Sequence, residues 1–329
     1  MVLVPEQIDR FNRDGFLALE TLLPPAPLDA VWAEYEALLD EVAQTLWAEG
    51  KLKDRYQGLA FGPRYTALIN DFPDLHFYLN ISLPLLNDPA ERRANPYRVH
   101  AGPAVFGLIT HPALLDVIES LLGPEIASNP VQQNRMKPPS QGLRGQNALH
   151  SNVGQTTWHQ DIVSVLPEAD ETKMITAWVA LTDAGIENGC LSAVPQSHRK
   201  GPRIHCANGK LASEPTVPDA LMVGEDEVPL PIKRGGVVLF NKLNVHRALP
   251  NVSNQLRWSM DLRYSEAGKP TGRPAYPSFI ARSRAHPESE LCDPKVYAAN
   301  WATARQALLT EAYAGPVFED RTGTNSAFC

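Results

Sequence analysis

His159 and Asp161, in Trp158-His159-Gln160-Asp161, combine residue types and a spacing that could do chemistry. On an extended segment, side chains two residues apart leave the same face. The imidazole and the carboxylate would point together, while Trp158, Gln160 and Ile162 face the other way. A nitrogen and an oxygen that converge in this way can share one metal ion. A second histidine on a later strand would complete two imidazoles and one carboxylate, a donor set that suits Fe(II) and leaves coordination positions open. His246, at the end of Phe240-Asn241-Lys242-Leu243-Asn244-Val245-His246, is the candidate. Taken alone, the pair serves equally well as a hydrogen-bonded couple on a polar strand face, so its surroundings must decide.

Strands would have to carry these residues. After Pro124, short alternating segments separated by Gly, Pro and Asn read as strands: Val131–Lys137, Thr156–Leu166, Met174–Leu181, Leu191–Val194, Gly236–Phe240 and Leu256–Tyr264. No long helical period separates them, which predicts an antiparallel sandwich or jelly roll and not a parallel sheet. In Leu256–Tyr264, one face carries Leu256, Trp258, Met260, Leu262 and Tyr264 and the other Arg257, Ser259, Asp261 and Arg263. In Met174–Leu181, Ile175, Ala177, Val179 and Leu181 oppose Thr176, Trp178 and Ala180. The apolar rows predict packing under helices, and the polar rows predict a lined interior.

The first part of the chain reads as mainly helical. Pro5 opens a short helix stopped at Gly15, and Phe16–Leu19 suggests a short strand. Leu28, Val31, Tyr35, Leu38, Leu39, Val42 and Leu46 keep a 3.6-residue period up to Gly50. A further helix fits between Thr110 and Gly123, whereas residues 51–105 show no clean period. Beyond Glu266 the chain is rich in Pro and Arg, and then helical from about Pro294 to Tyr313. The expected organisation is one catalytic domain over 1–329: a mainly helical part (1–124), a jelly-roll core (125–265) and an extension packing on or capping that core (266–329).

Composition narrows the function. The 329 residues are 43% hydrophobic and 20% charged, with a net charge of −7, so no basic excess points to nucleic acid. Cys190, Cys206, Cys292 and Cys329 show no C-x-x-C spacing and read as reduced thiols in a cytoplasmic protein. No signal peptide is evident, and no apolar run is expected to reach the roughly 20 residues that cross a bilayer. Neither a nucleic acid nor a membrane is an expected partner; a small-molecule substrate is.

Several segments then accumulate in series. Trp158-His159-Gln160-Asp161 is followed by Thr176-Ala177-Trp178-Val179-Ala180-Leu181 and Asn188-Gly189-Cys190-Leu191. Next come Pro195-Gln196-Ser197-His198, Arg234-Gly235-Gly236-Val237-Val238-Leu239-Phe240, His246 and Arg257. Phe11-Asn12-Arg13-Asp14-Gly15-Phe16 and His111-Pro112, then Leu121-Leu122-Gly123, precede them. In this order they resemble the phytanoyl-CoA dioxygenase family over roughly residues 5–265. The resemblance implies a double-stranded β-helix, a cupin-like jelly roll, that uses Fe(II), 2-oxoglutarate and O₂. It implies His159, Asp161 and His246 as iron ligands, Arg257 as the clamp on the distal carboxylate of 2-oxoglutarate, and Lys137 and Trp178 as lining of the cosubstrate pocket. Two positions depart from the family: Gln196 stands where a glycine is usual, and Ala248 stands where a hydroxyl is often found.

The residues themselves are compatible with that chemistry. A 2-oxo acid can take two of the open metal positions, and its far carboxylate then needs a cation; Arg257 offers a permanently charged two-pronged fork. The alternatives are an Arg257–Asp261 ion pair on one strand face, and Trp178 as plain core. Arg135 fits surface and pocket equally, and Gln133 is the candidate substrate contact. His150, His198 and His205 lack a carboxylate two residues away and read as structural. Hydroxylation of a small organic molecule is the expected outcome. Desaturation, epimerisation and ring formation would use the same ligands, and a non-catalytic jelly-roll binding protein is the remaining class. A halogenase would replace Asp161 with a small residue.

Overall fold

The computed structural model describes residues 2–95, 97–145, 151–208, 211–310, 313–317, 319, 321 and 327–329. Helix α1 (Pro5–Asp14) ends at Gly15, whose φ of 83° is left-handed. A Cβ there would lie 2.4 Å from the His198 ring, so glycine serves both the turn and the close approach. Strand β1 (Phe16–Leu19) follows, then α2 (Pro25–Ala48), α3 (Phe61–Asp71), α4 (Leu75–Tyr78), α5 (Pro89–Ala94), α6 (Pro103–Ile109) and α7 (Pro112–Leu122). The strands are β2 (Glu125–Lys137), β3 (Met174–Ala180), β4 (Leu191–Ala193), β5 (Cys206–Asn208), β6 (Leu211–Thr216), β7 (Val228–Leu230), β8 (Val237–Asn241), β9 (His246–Ala248), β10 (Arg257–Glu266) and β11 (Phe279–Ser283). Helix α8 (Pro294–Leu309) comes last.

Two antiparallel sheets form the centre. The larger runs β1-β8-β3-β10-β2-β11 and the smaller β7-β4-β9, with β5 and β6 paired apart. Strand alternation builds one core on each face of the larger sheet. Leu17, Leu19, Ile175, Ala177, Val179, Val237, Leu239, Trp258, Met260, Leu262 and Tyr264 pack into the helices, the side that the sequence alternation predicts for the rows in 174–181 and 256–264. Phe16, Trp178, Ala180, Val238 and Phe240 meet Leu191, Ala193, Leu230 and Ala248 of the smaller sheet. Trp258 anchors the first core: Trp32, Tyr35 and Phe61 surround it at 4.8, 5.0 and 5.3 Å, and its Nε1 donates to Asn134 Oδ1 at 2.6 Å. Removing such a side chain costs about 3–5 kcal/mol. From α8, Tyr297, Trp301 and Leu308 join the same core.

Three expectations need correction. Thr156–Leu166 is not a strand: His159 makes an isolated bridge to His246, and Asp161–Ser164 is a 3-10 turn. Its run of Ile162, Val163 and Val165 reflects burial in a small separate cluster and not a pleat. The cysteines are not all reduced, because Cys206 and Cys329 form a disulfide with Cα atoms 5.3 Å apart, while Cys190 and Cys292 are free. Sequence distance hid this pair, 123 residues apart. Finally, Pro103–Leu122 is long and apolar enough to cross a membrane, with a mean hydropathy of 1.5. The segment is divided between α6 and α7, and Val105, Phe106, Leu108, Leu114, Leu115 and Ile118 are buried in the helix-side core, which accounts for its apolarity.

Candidate metal and cosubstrate site

The bridge between His159 and His246 brings the two histidines together. Each backbone N–H donates to the other residue's carbonyl at 3.0 Å, and the ring centroids lie 4.3 Å apart. His159 Nδ1 faces Thr157 O at 2.8 Å, and His246 Nδ1 faces Asn244 O at 3.0 Å. A ring nitrogen facing a carbonyl must carry the proton, so in the neutral ring Nε2 keeps its lone pair for a metal. Burial, followed by the neighbouring His246, pushes His159 well below the ordinary histidine range and so favours that neutral form. Phe240 stacks on the His246 ring at 4.4 Å.

Asp161 completes the group, with one donor atom from each residue within 4.8 Å of the others. Burial alone would raise its pKa, but Arg263 and the two histidines hold it well below the carboxylate range. Arg263 Nη2 donates to Oδ1 at 2.6 Å and Thr176 Oγ1 to Oδ2 at 2.5 Å. Each carboxylate oxygen can accept twice, so these contacts orient the group without exhausting it.

Arg257 is fully buried on the inward face of β10, opposite Lys137 in the β2 register. Its Nη1 donates to Ser259 Oγ at 2.7 Å and its guanidinium lies 5.4 Å from the Trp178 ring. Nε and Nη2 find no partner among the described residues, and burial pulls the guanidinium down to about 9. A buried cation with two idle donors fits an anion with two acceptor oxygens. The expected alternative, pairing with Asp261, does not occur as a hydrogen bond: Asp261 Oδ2 accepts from Arg135 Nε at 2.7 Å.

Of the other residues expected at the site, some line its cavity and some do not. Trp178 lines the same small cavity as Arg135, Thr156, His159, Thr176, His246, Arg257 and Asp261, while also belonging to the core between the sheets. Lys137 sits behind Thr156, its Nζ donating to Thr156 Oγ1 at 2.5 Å. Gln133 lies opposite Asp261 in register, but its Oε1 accepts from Asn80 and Asn152, and the residue is outside the cavity lining. His198 and His205 lie outside the three-residue group, and His150 is outside the described residues. Arg263, Thr176 and Thr156 were not expected at the site. The alternation that placed Arg257 inward already put Arg263 on the same row.

A model of the family Phytanoyl-CoA dioxygenase (PhyH) matches residues 11–259. The chain belongs to the phytanoyl-CoA dioxygenase family. It is therefore an Fe(II)/2-oxoglutarate-dependent oxidoreductase. Phytanoyl-CoA dioxygenase domain-containing protein 1 of Danio rerio is 27% identical over 278 residues, covering 78% of this chain and 88% of that protein. The protein of the same name from Mus musculus is 24% identical over 279 residues, covering 80% and 91%. Among solved structures, the non-heme monooxygenase ThoJ aligns with a TM-score of 0.57 at 20% identity, covering 93% of this chain and 98% of that one. The non-heme alpha ketoglutarate dependent carbocyclase SnoK aligns at 0.50 with 19% identity, covering 87% and 90%. These neighbours carry the fold, a double-stranded β-helix flanked by helices, which the sequence anticipates.

Proposed function

We propose that this family member hydroxylates a small organic molecule, acting as one catalytic unit over residues 1–329. His159, Asp161 and His246 hold Fe(II) in this reading. Arg257 holds the distal carboxylate of 2-oxoglutarate, with Trp178 as a wall and Lys137 adding positive charge through the Thr156 contact. The observation that carries it is the three-residue donor group beside a buried arginine with two idle donors. When bound, iron with 2-oxoglutarate and O₂ supplies an oxidant for C–H bonds and releases succinate and CO₂. The chain's own part is positional. The two Nδ1–carbonyl contacts turn both Nε2 atoms toward the metal position, Arg263 and Thr176 keep Asp161 ionised and oriented, and the packed Phe240 and Trp178 rings limit water. Gln133 is assigned as a substrate contact through the Asn80–Asn152 cluster.

Desaturation, epimerisation and ring formation would place the same demands on these residues, so the substrate decides among them. A cytoplasmic setting is part of the reading, although the Cys206–Cys329 disulfide favours an oxidising one. The test is to incubate purified protein with Fe(II), 2-oxoglutarate, O₂ and fractionated metabolite pools, reading succinate and product mass. Substrate-dependent succinate with a product one oxygen heavier is the expected result. A product lighter by two hydrogens or of unchanged mass moves the assignment to an alternative outcome.

A further inference from the structure

The peptide between His159 and Asp161 is held by a histidine to which none of the roles above extends. Gln160 N–H donates to His205 Nε2 at 3.1 Å, and His205 Nδ1 faces Arg203 O at 2.9 Å. An imidazole can accept at one nitrogen and donate from the other only in a single neutral tautomer, here with the proton on Nδ1. His205 is 1% exposed, so water does not readily replace this acceptor. The Gln160 side chain is held from the same direction. Its Nε2 donates to Gly201 O at 3.0 Å and Leu243 O at 2.6 Å, and its Oε1 accepts from Arg203 N at 2.7 Å. The flanking residues are bound elsewhere: the His159 backbone to His246, and the Asp161 side chain to Arg263 and Thr176.

We propose that His205 is a positioning residue for the metal centre. By accepting the Gln160 N–H it sets the peptide joining the two neighbouring donors, and so the angle at which His159 and Asp161 converge. A buried N–H deprived of its acceptor drives the peptide to rotate toward another one, and that rotation swings both donors. The inference rests on reading His159, Asp161 and His246 as the Fe(II) ligands.

The test is an anaerobic Fe(II) titration of the full chain, the visible charge-transfer band on adding 2-oxoglutarate, and the melting temperature of the metal-free protein. His205→Phe keeps a ring without an acceptor; His205→Gln brings an amide oxygen close to the position of Nε2. Expected for His205→Phe are Fe(II) binding weakened at least about 10-fold, a shifted or bleached band, and a metal-free melting temperature near wild type. His205→Gln should recover most of the affinity and the band. Wild-type affinity and band in His205→Phe would overturn the inference, as would equal losses in both variants that follow a lower melting temperature. Should His205→Phe fail to fold, His205→Leu, which also lacks an acceptor for Gln160 N–H, takes its place: weakened Fe(II) binding with a shifted band supports the inference, and wild-type affinity and band overturn it. A wild-type chain that takes up no Fe(II) would instead remove the metal-site reading, and the inference with it.

Discussion

Arg263 and Asp161, 102 residues apart in sequence, form a buried pair with Nη2 to Oδ1 at 2.6 Å and side-chain exposures of 3% and 2%. Arg263 thus favours the ionised form of Asp161 and orients it through protein contacts alone. Val131 O and Thr176 Oγ1 accept from the remaining guanidinium nitrogens at 2.9 and 3.1 Å, so the arginine itself is fixed.

Removing one partner of such a pair strands the other. Arg263→Leu should lower the stability of the metal-free protein by about 3–5 kcal/mol, read by urea unfolding. A loss below about 1 kcal/mol, the range of an exposed pair, would show that Asp161 does not depend on Arg263.

His159→Ala, Asp161→Ala and His246→Ala should each abolish Fe(II) uptake and succinate formation, since two protein donors hold a labile ion poorly. Metal content after anaerobic loading and gel filtration measures this. Asp161→Ala should also destabilise the metal-free chain more than either histidine variant, because it leaves Arg263 buried without its anion. Wild-type succinate in all three variants would dismiss the assignment.

Arg257→Ala should weaken 2-oxoglutarate binding roughly 30- to 4,000-fold, the equivalent of about 2–5 kcal/mol for a buried charge-assisted contact. Fe(II) affinity should stay near wild type. Arg257→Lys should recover part of the loss, because an ammonium cannot present two parallel donors. An unchanged 2-oxoglutarate curve for Arg257→Ala would end the cosubstrate role.

His76, buried and facing Pro73 O at 2.9 Å, is pushed down to about 4 by burial. The unfolded chain takes up this proton near the ordinary value of 6.5, so stability is complete above that pH. It falls as pH drops from 6.5 toward about 4, by up to about 3 kcal/mol. Urea midpoints across this range should fall with pH, and His76→Gln should flatten the slope.

The Cys206–Cys329 disulfide should leave two titratable thiols, Cys190 and Cys292, in the denatured unreduced protein and four after a dithiol. Reduction should lower stability by about 2–4 kcal/mol through the loop it opens. Four thiols before reduction would refute the bond and restore the reduced reading of the sequence.

What the sequence determined by itself was local periodicity and the order of its segments. Period-two alternation in 256–264 and 174–181 placed Trp258, Met260 and Leu262 under the helices and Arg257 inside, because side-chain direction follows the pleat whatever the partner strand. The 3.6-residue stripe of Leu28, Val31, Tyr35 and Leu39 likewise foretold the buried face of α2. His159, Asp161 and His246 were singled out by type and spacing, and the serial motifs supplied the family. Only the tertiary structure decided who pairs with whom. Arg263 meets Asp161, Asp261 takes Arg135 and not Arg257, Cys206 reaches Cys329, and Gln160 leans on His205. The short β5, β6, β7 and β9 were equally illegible. β7 and β9 are three residues each and hold an extended form by pairing with the distant β4, which leaves no period in the local sequence.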